Sequence, residues 1–270
     1  MEFPMRLILA AVLSLFAAPA LACGPDTDCT VLGDRTYRYY MPEGVEGPVG
    51  AFFHAHGYRG SANGAMRNQS LRAMADRLGM AFIAMNADAD DWNLAHRPRN
   101  PGQAEAAEYD YVNAVIEDVA GRIDLDRERL IATGFSAGGM MTWTLACGMG
   151  GDTFLGFVPY AGTFWAPVPE SCPAPPAHII HIHGTEDRTV PLEGRPIGQT
   201  RQGDVMQAIE MYGRHMQVLQ PVPLEFPFGT QCAAGFNLDA IGLTICMFEG
   251  GHSYSTERVE WAIEQILSTL

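Results

Sequence analysis

Lysine is missing from this 270-residue chain: all 17 basic residues are arginine. That excludes a lysine nucleophile, a Schiff base and a Ser-Lys dyad. Positive charge is scarce as well. Against those arginines stand 31 acidic residues, a formal charge of −14, which argues against nucleic acid or an anionic membrane as partner. Past the N-terminal segment no apolar run is long enough to cross a bilayer. There is also no internal repeat, low-complexity tract or long linker.

What is present begins with a leader. Arg6 precedes an apolar run, Leu7 to Ala18, too short to span a membrane, and Ala20-Leu21-Ala22 fits the small-residue cleavage rule. Residues 1–22 read as a signal peptide and 23–270 as one mature domain, secreted or periplasmic. Cys23 would be the first mature residue. A lipoprotein signal places a large aliphatic residue three before the cysteine, and Ala20 stands there, so lipidation is not expected. Six cysteines in an exported chain suggest disulfides. Their pairing is open from sequence; proximity favours Cys23–Cys29, Cys147–Cys172 and Cys232–Cys246.

Strand and helix signals alternate along the chain. Thr30 to Met41 reads as an antiparallel strand pair turning at Gly33-Asp34, and Met80 to Asn86 as a buried strand. Leu71, Met74, Ala75 and Leu78 mark a helical stripe, as do Val112, Val115, Ile116 and Val119. Val259, Ile263, Ile266, Leu267 and Leu270 mark the last one. This alternation predicts an α/β fold: a mostly parallel, twisted sheet with helices on both faces. Three insertions interrupt it, Ala89 to Gln103, Thr163 to Pro176 and Gln220 to Gly242. The first two should project over the strand ends and wall a pocket, with Trp92 and Trp165 as substrate contacts. The alternative for each tryptophan is packing beneath a long loop.

The chemistry concentrates at Leu130-Ile131-Ala132-Thr133-Gly134-Phe135-Ser136-Ala137-Gly138-Gly139. A strand-forming run enters a Gly-x-Ser-x-Gly turn, and a helical pattern, Met140 to Cys147, leaves it. Such a turn strains the serine backbone, exposes its hydroxyl and puts a helix N-terminus beside it. Small residues flank Ser136 because side chains there would collide with the neighbouring elements. The plain alternative, a Gly/Ser turn joining two core elements, explains the glycines but not the serine.

A serine nucleophile needs a base and an orienting acid, here expected in the order Ser, acid, His. His178 to His183 reads as a buried strand, with Asp187 in the loop after it. Thr244 to Phe248 reads as another, followed by Gly250-Gly251-His252. Asp187 is the expected acid and His252 the expected base; Glu186 and Glu249 are the rivals for the acid. A strand ending at His56-Gly57 should supply one oxyanion donor through the Tyr58 amide, with the Ala137 amide as the other. His54 and His56, and His181 and His183, are spaced two apart as metal pairs are. No third ligand completes either, so no metal is expected and backbone-bonded strand histidines are. His96 and His215 carry no pattern.

Together His56-Gly57, Gly134 to Met141, His183 to Pro191 and Gly250-Gly251-His252-Ser253 resemble the polyhydroxybutyrate depolymerase and feruloyl esterase group of α/β-hydrolases. Ile123 to Leu130 is similar to that group too. The resemblance runs from about Cys29 to the C-terminus. It implies an α/β-hydrolase fold, Ser136, Asp187 and His252 as a catalytic triad, Tyr58 and Ala137 as oxyanion donors, and no cofactor. It also implies an ester substrate. First comes a hydroxyalkanoate polymer or oligomer, then a feruloyl or acetyl ester of plant polysaccharide. Many polymer depolymerases of this kind carry a linker and a separate binding domain. Neither is seen before Leu270, which points to soluble oligomer over crystalline polymer. Peptidase activity would call for an added propeller or cap domain. A non-catalytic binding protein on the same fold would show a broken triad, and this one reads as whole.

Overall fold

The computed structural model describes residues 23–99 and 105–270. The leader read at residues 1–22, and the end of the first insertion, lie outside the described residues. Among the described residues twelve strands form, in chain order β1 (Cys29–Val31), β2 (Arg35–Tyr40), β3 (Val49–Ala55), β4 (Ala81–Met85), β5 (Leu125–Phe135), β6 (Gly156–Tyr160), β7 (His178–Gly184), β8 (Pro196–Ile197), β9 (Thr200–Arg201), β10 (Val222–Phe226), β11 (Thr230–Phe236) and β12 (Gly242–Phe248). The helices are α1 (Ala62–Met66), α2 (Gln69–Leu78), α3 (Ala106–Ala120), α4 (Ala137–Gly148), α5 (Gly150–Thr153), α6 (Val205–His215) and α7 (Thr256–Leu267).

Ten strands make one sheet in the order β1-β2-β4-β3-β5-β6-β7-β12-β11-β10. The middle six run parallel, while β1, β2, β11 and β10 pair antiparallel at the edges. Because side chains alternate across a strand, the two faces carry separate cores. Phe53, Ala132, Phe157 and Ile179 pack with the apolar stripes of α3, α4 and α6. Their neighbours Phe52, Ile131, Val158 and Ile180 pack with α2 and α7. Both cores being full, the central strands are buried on both faces rather than alternating; β3 is buried at every residue. Phe52 and Phe82 stack across β3 and β4 at 4.9 Å, a pairing that contributes about 1 kcal/mol beyond area burial.

Gln220 to Gly242, read as an insertion, is mostly sheet. β10 and β11 form a hairpin that extends the edge from β12. Pro221 and Pro223 mask the strand signal, since proline is tolerated only where no ladder donor is needed, as on the edge strand β10. Cys232 and Cys246 sit directly opposite one another on β11 and β12 and are disulfide-bonded. Cys23 is bonded to Cys29, and Cys147 on α4 to Cys172 in the Thr163–Pro176 loop. Among the described residues no helix is long and apolar enough to cross a membrane.

Candidate active site

At the centre of the sheet β5 turns into α4 through Ser136, whose backbone is strained at φ 60° and ψ −119°. Its amide donates to Tyr160 O at 2.9 Å and its carbonyl accepts from Met140 N at 3.0 Å. The flanking glycines are dictated by close approach. A Cβ on Gly138 would strike Ala55 O, and one on Gly134 would strike Gly138 O. Gly57 lies beside the serine, a Cβ placed there coming into ordinary contact with Ser136 Cβ at 3.5 Å. The turn after β3 is thereby pressed against the elbow, and Tyr58, Ser136 and Ala137 border one cleft of about 310 Å³. Among the described residues neither the Tyr58 nor the Ala137 amide has a protein acceptor, as groups aimed at a ligand oxyanion require.

The acid and histidine stand at the ends of adjacent strands. β7 pairs with β12, and the pairing continues into the loops: Thr185 N donates to Phe248 O at 2.9 Å and Glu186 N to Gly250 O at 2.8 Å. Asp187, its side chain fully buried, folds back in a turn. Its Oδ1 accepts from the Thr189 and Val190 amides, both at 2.8 Å, and its Oδ2 accepts from His252 Nδ1 at 2.6 Å. Burial alone would raise the Asp187 pKa. The His252 bond and the two amides outweigh it and hold the carboxyl below its ordinary value. Both rivals, Glu186 and Glu249, are exposed. With Nδ1 committed to Asp187, His252 keeps Nε2 free to take a proton. Its ring lies 4.7 Å from that of Phe135, the residue before Ser136. Among the described residues Ser136 Oγ has no hydrogen-bond partner.

The tryptophans separate. Trp165 borders the cleft, beside Met140, Val190 and Ile197. Trp92 does not: it is wholly buried, its Nε1 donating to His56 O at 2.9 Å. It packs beneath the turn after β3, because a buried indole N–H needs an acceptor and a bent strand end offers one. His56 packs against Trp92, ring centroids 5.0 Å apart. Its Nε2 accepts from Ala87 N, so its Nδ1 donates to Gly57 O at 2.8 Å. His54 Nδ1 lies 3.1 Å from Thr133 Oγ1, and His183 Nε2 donates to Val190 O. The expected backbone bonding thus holds for His56 and His183, while His54 and His181 bond side chains. A whole wall went unread in the sequence: Thr189 to Gln202, carrying the β8–β9 ribbon, borders the cleft with Val190, Arg195, Ile197 and Gln202. Its only sequence signal is a Gly- and Pro-rich stretch directly after the acid loop.

An elbow at the sheet centre, with an acid and a histidine joined on neighbouring strand ends, defines an α/β-hydrolase fold. No protein-family model matches the chain. Over 167 residues it is 32% identical to NocK of Nocardia uniformis subsp. tsuyamanensis, provisionally named an esterase. That match covers 59% of this chain and 47% of NocK, so the chain spans about half the length of that protein. Among solved structures, the acetyl xylan esterase from Aspergillus awamori superposes with TM-score 0.63 at 12% identity, over 87% of this chain and 97% of that one. The S-formylglutathione hydrolase of Staphylococcus aureus gives 0.57 at 17%, over 86% and 90%. At these identities the likeness is one of fold.

Proposed function

We propose that the protein is an exported serine esterase in which Ser136, His252 and Asp187 act as a triad. The 2.6 Å bond between His252 and the buried Asp187 carries the reading; the strained Ser136 turn, open to the same cleft as Tyr58 and Ala137, supports it. Ser136 Oγ attacks the ester carbonyl while His252 Nε2 takes its proton. The tetrahedral oxyanion accepts hydrogen bonds from the Tyr58 and Ala137 amides. As the C–O bond breaks, His252 returns the proton to the leaving alcohol, and an acyl-Ser136 ester remains. Water, deprotonated by His252, then releases the acid and restores the serine. Nothing in this sequence of steps calls for a cofactor or metal.

The substrate we propose is a hydroxyalkanoate ester. The family resemblance favours it, and the Met140, Val190 and Ile197 walls suit a short branched acyl chain. Three disulfides suit an oxidising compartment outside the cytosol. The test is product release from hydroxybutyrate trimer, amorphous poly(3-hydroxybutyrate), acetylated xylan and methyl ferulate, with Ser136→Ala as blank. The expected order puts the trimer first. Faster release of acetate or ferulate would move the substrate to polysaccharide esters.

A further inference from the structure

His181 and His183 take no part in the steps above, yet both rings are fully buried directly behind the acid loop. They form part of a continuous chain. Trp143 Nε1 lies 3.3 Å from His181 Nδ1, His181 Nε2 lies 3.1 Å from His183 Nδ1, and His183 Nε2 lies 2.8 Å from Val190 O. The ends fix every proton. An indole nitrogen only donates and a carbonyl only accepts. Burial lowers the proton affinity of both imidazoles, so each carries one N–H. His183 must then hold its proton on Nε2, which leaves Nδ1 to accept. His181 must hold its own on Nε2, which leaves its Nδ1 for the indole. One arrangement satisfies all three bonds, and all three donors point toward the acid loop.

The chain ends on a residue that matters. Val190 O accepts from His183, while Val190 N donates to Asp187 Oδ1 at 2.8 Å. His183 Nε2 is also 3.5 Å from Asp187 Oδ2, the oxygen bound by His252. The Val190 residue itself borders the cleft.

We propose that His183, held by His181 and Trp143, is a positioning residue: it pins Val190 so that the Asp187 carboxylate stays aimed at His252. This rests on the triad reading above. It also explains why polar rings occupy a strand face where an apolar core would be cheaper to build. A buried network is tolerated when every member is satisfied, and it then specifies one geometry.

The experiment is a double-mutant cycle on p-nitrophenyl butyrate. His183→Phe, His183→Gln and Trp143→Phe are each measured in the parent and in Asp187→Asn, with melting followed by circular dichroism. Neighbours coupled through one network do not act independently, so His183→Phe should lower kcat about tenfold in the parent with KM unchanged. In Asp187→Asn the same change should cost less than twofold. The Gln amide reaches the Val190 carbonyl, so His183→Gln should recover most of the loss. Trp143→Phe, which removes only the outermost donor, should cost about two- to threefold. An equal loss in both backgrounds would mean that the histidine supports the fold alone, and the proposal falls. If His183→Phe fails to melt cooperatively, full parental kcat in Trp143→Phe overturns it instead. Parental activity in Asp187→Asn itself would strike the triad reading, a separate failure.

Discussion

On the serine side of the cleft, position is enforced by contact between backbones. Gly134 and Gly138 let β3, β5 and α4 approach until no side-chain atom fits between them, around a Ser136 held in a strained turn. On the acid side, position is enforced by hydrogen bonds between buried polar groups: Asp187 takes three, and two histidines and a tryptophan stand behind it. Steric enforcement tolerates no added atom but is indifferent to protonation. Hydrogen-bond enforcement tolerates changes of volume better than changes of donor and acceptor. The two sides should therefore fail in different ways.

The largest effect is expected at the serine. Ser136→Ala should abolish ester hydrolysis, by on the order of 10⁶ in kcat, with melting unchanged or improved because alanine relieves no contact the turn relies on. Turnover above a few per cent of parent would remove Ser136 from the mechanism.

On the acid side Asp187→Asn keeps the shape and alters the donor pattern. The amide no longer selects the His252 tautomer that leaves Nε2 bare, and kcat should fall by roughly 10⁴. Glu186→Gln and Glu249→Gln, both on exposed side chains, should stay near parent. A Glu249→Gln variant that lost this much, with Asp187→Asn close to parent, would reassign the acid.

Gly138→Ala tests steric enforcement without touching a reacting group. The added methyl meets Ala55 O, a backbone atom that cannot swing away. Overpacking of this kind costs about 1–3 kcal/mol, and a rigid backbone neighbour puts this site at the upper end. Urea unfolding should show that loss at neutral pH and at pH 5 alike. A Gly138→Ala protein as stable as parent would show that β3 yields, and the contrast between the two sides would lose its basis.

The same contrast explains what could be read in advance. Gly134-Phe135-Ser136-Ala137-Gly138 was readable because close backbone approach leaves a local mark, the missing side chains. Asp187 and His252 were readable because each lies in a short loop directly after an apolar strand. The histidine chain was not, since its bonds run from Trp143 to His181 and from His183 to Val190; only the fold brings those residues together. Trp92 misled for the same reason: its acceptor, His56 O, is 36 residues away, and a loop tryptophan reads alike whether it faces the cleft or the core. The β10–β11 hairpin was hidden by Pro221 and Pro223, which read as loop until the strand is known to be an edge.

The smallest effect sets the limit of the contrast: backbone contact is indifferent to pH, but a buried histidine behind the elbow is not. His54 lies on β3 behind the elbow, its ring between Phe82 and Tyr254. Burial, aided by the nearby His56, pushes its pKa down to about 3. An unfolded histidine titrates near 6.5. Below that pH the unfolded chain takes up a proton that the folded ring refuses, so stability is lost as pH falls from about 6.5 toward about 3. Between pH 7 and pH 5 this one group should cost about 2 kcal/mol. Asp187 works in the same direction, since its folded pKa is depressed and its contribution goes as pH falls through that value. The variant to compare is His54→Phe, which keeps the aromatic packing and gives up only the bond to Thr133 Oγ1. It should start less stable at pH 7 and lose about 2 kcal/mol less than parent on going to pH 5, by urea unfolding at each pH. Equal losses in the two proteins would mean that folded His54 accepts the proton, and that the core behind the elbow opens enough to solvate it.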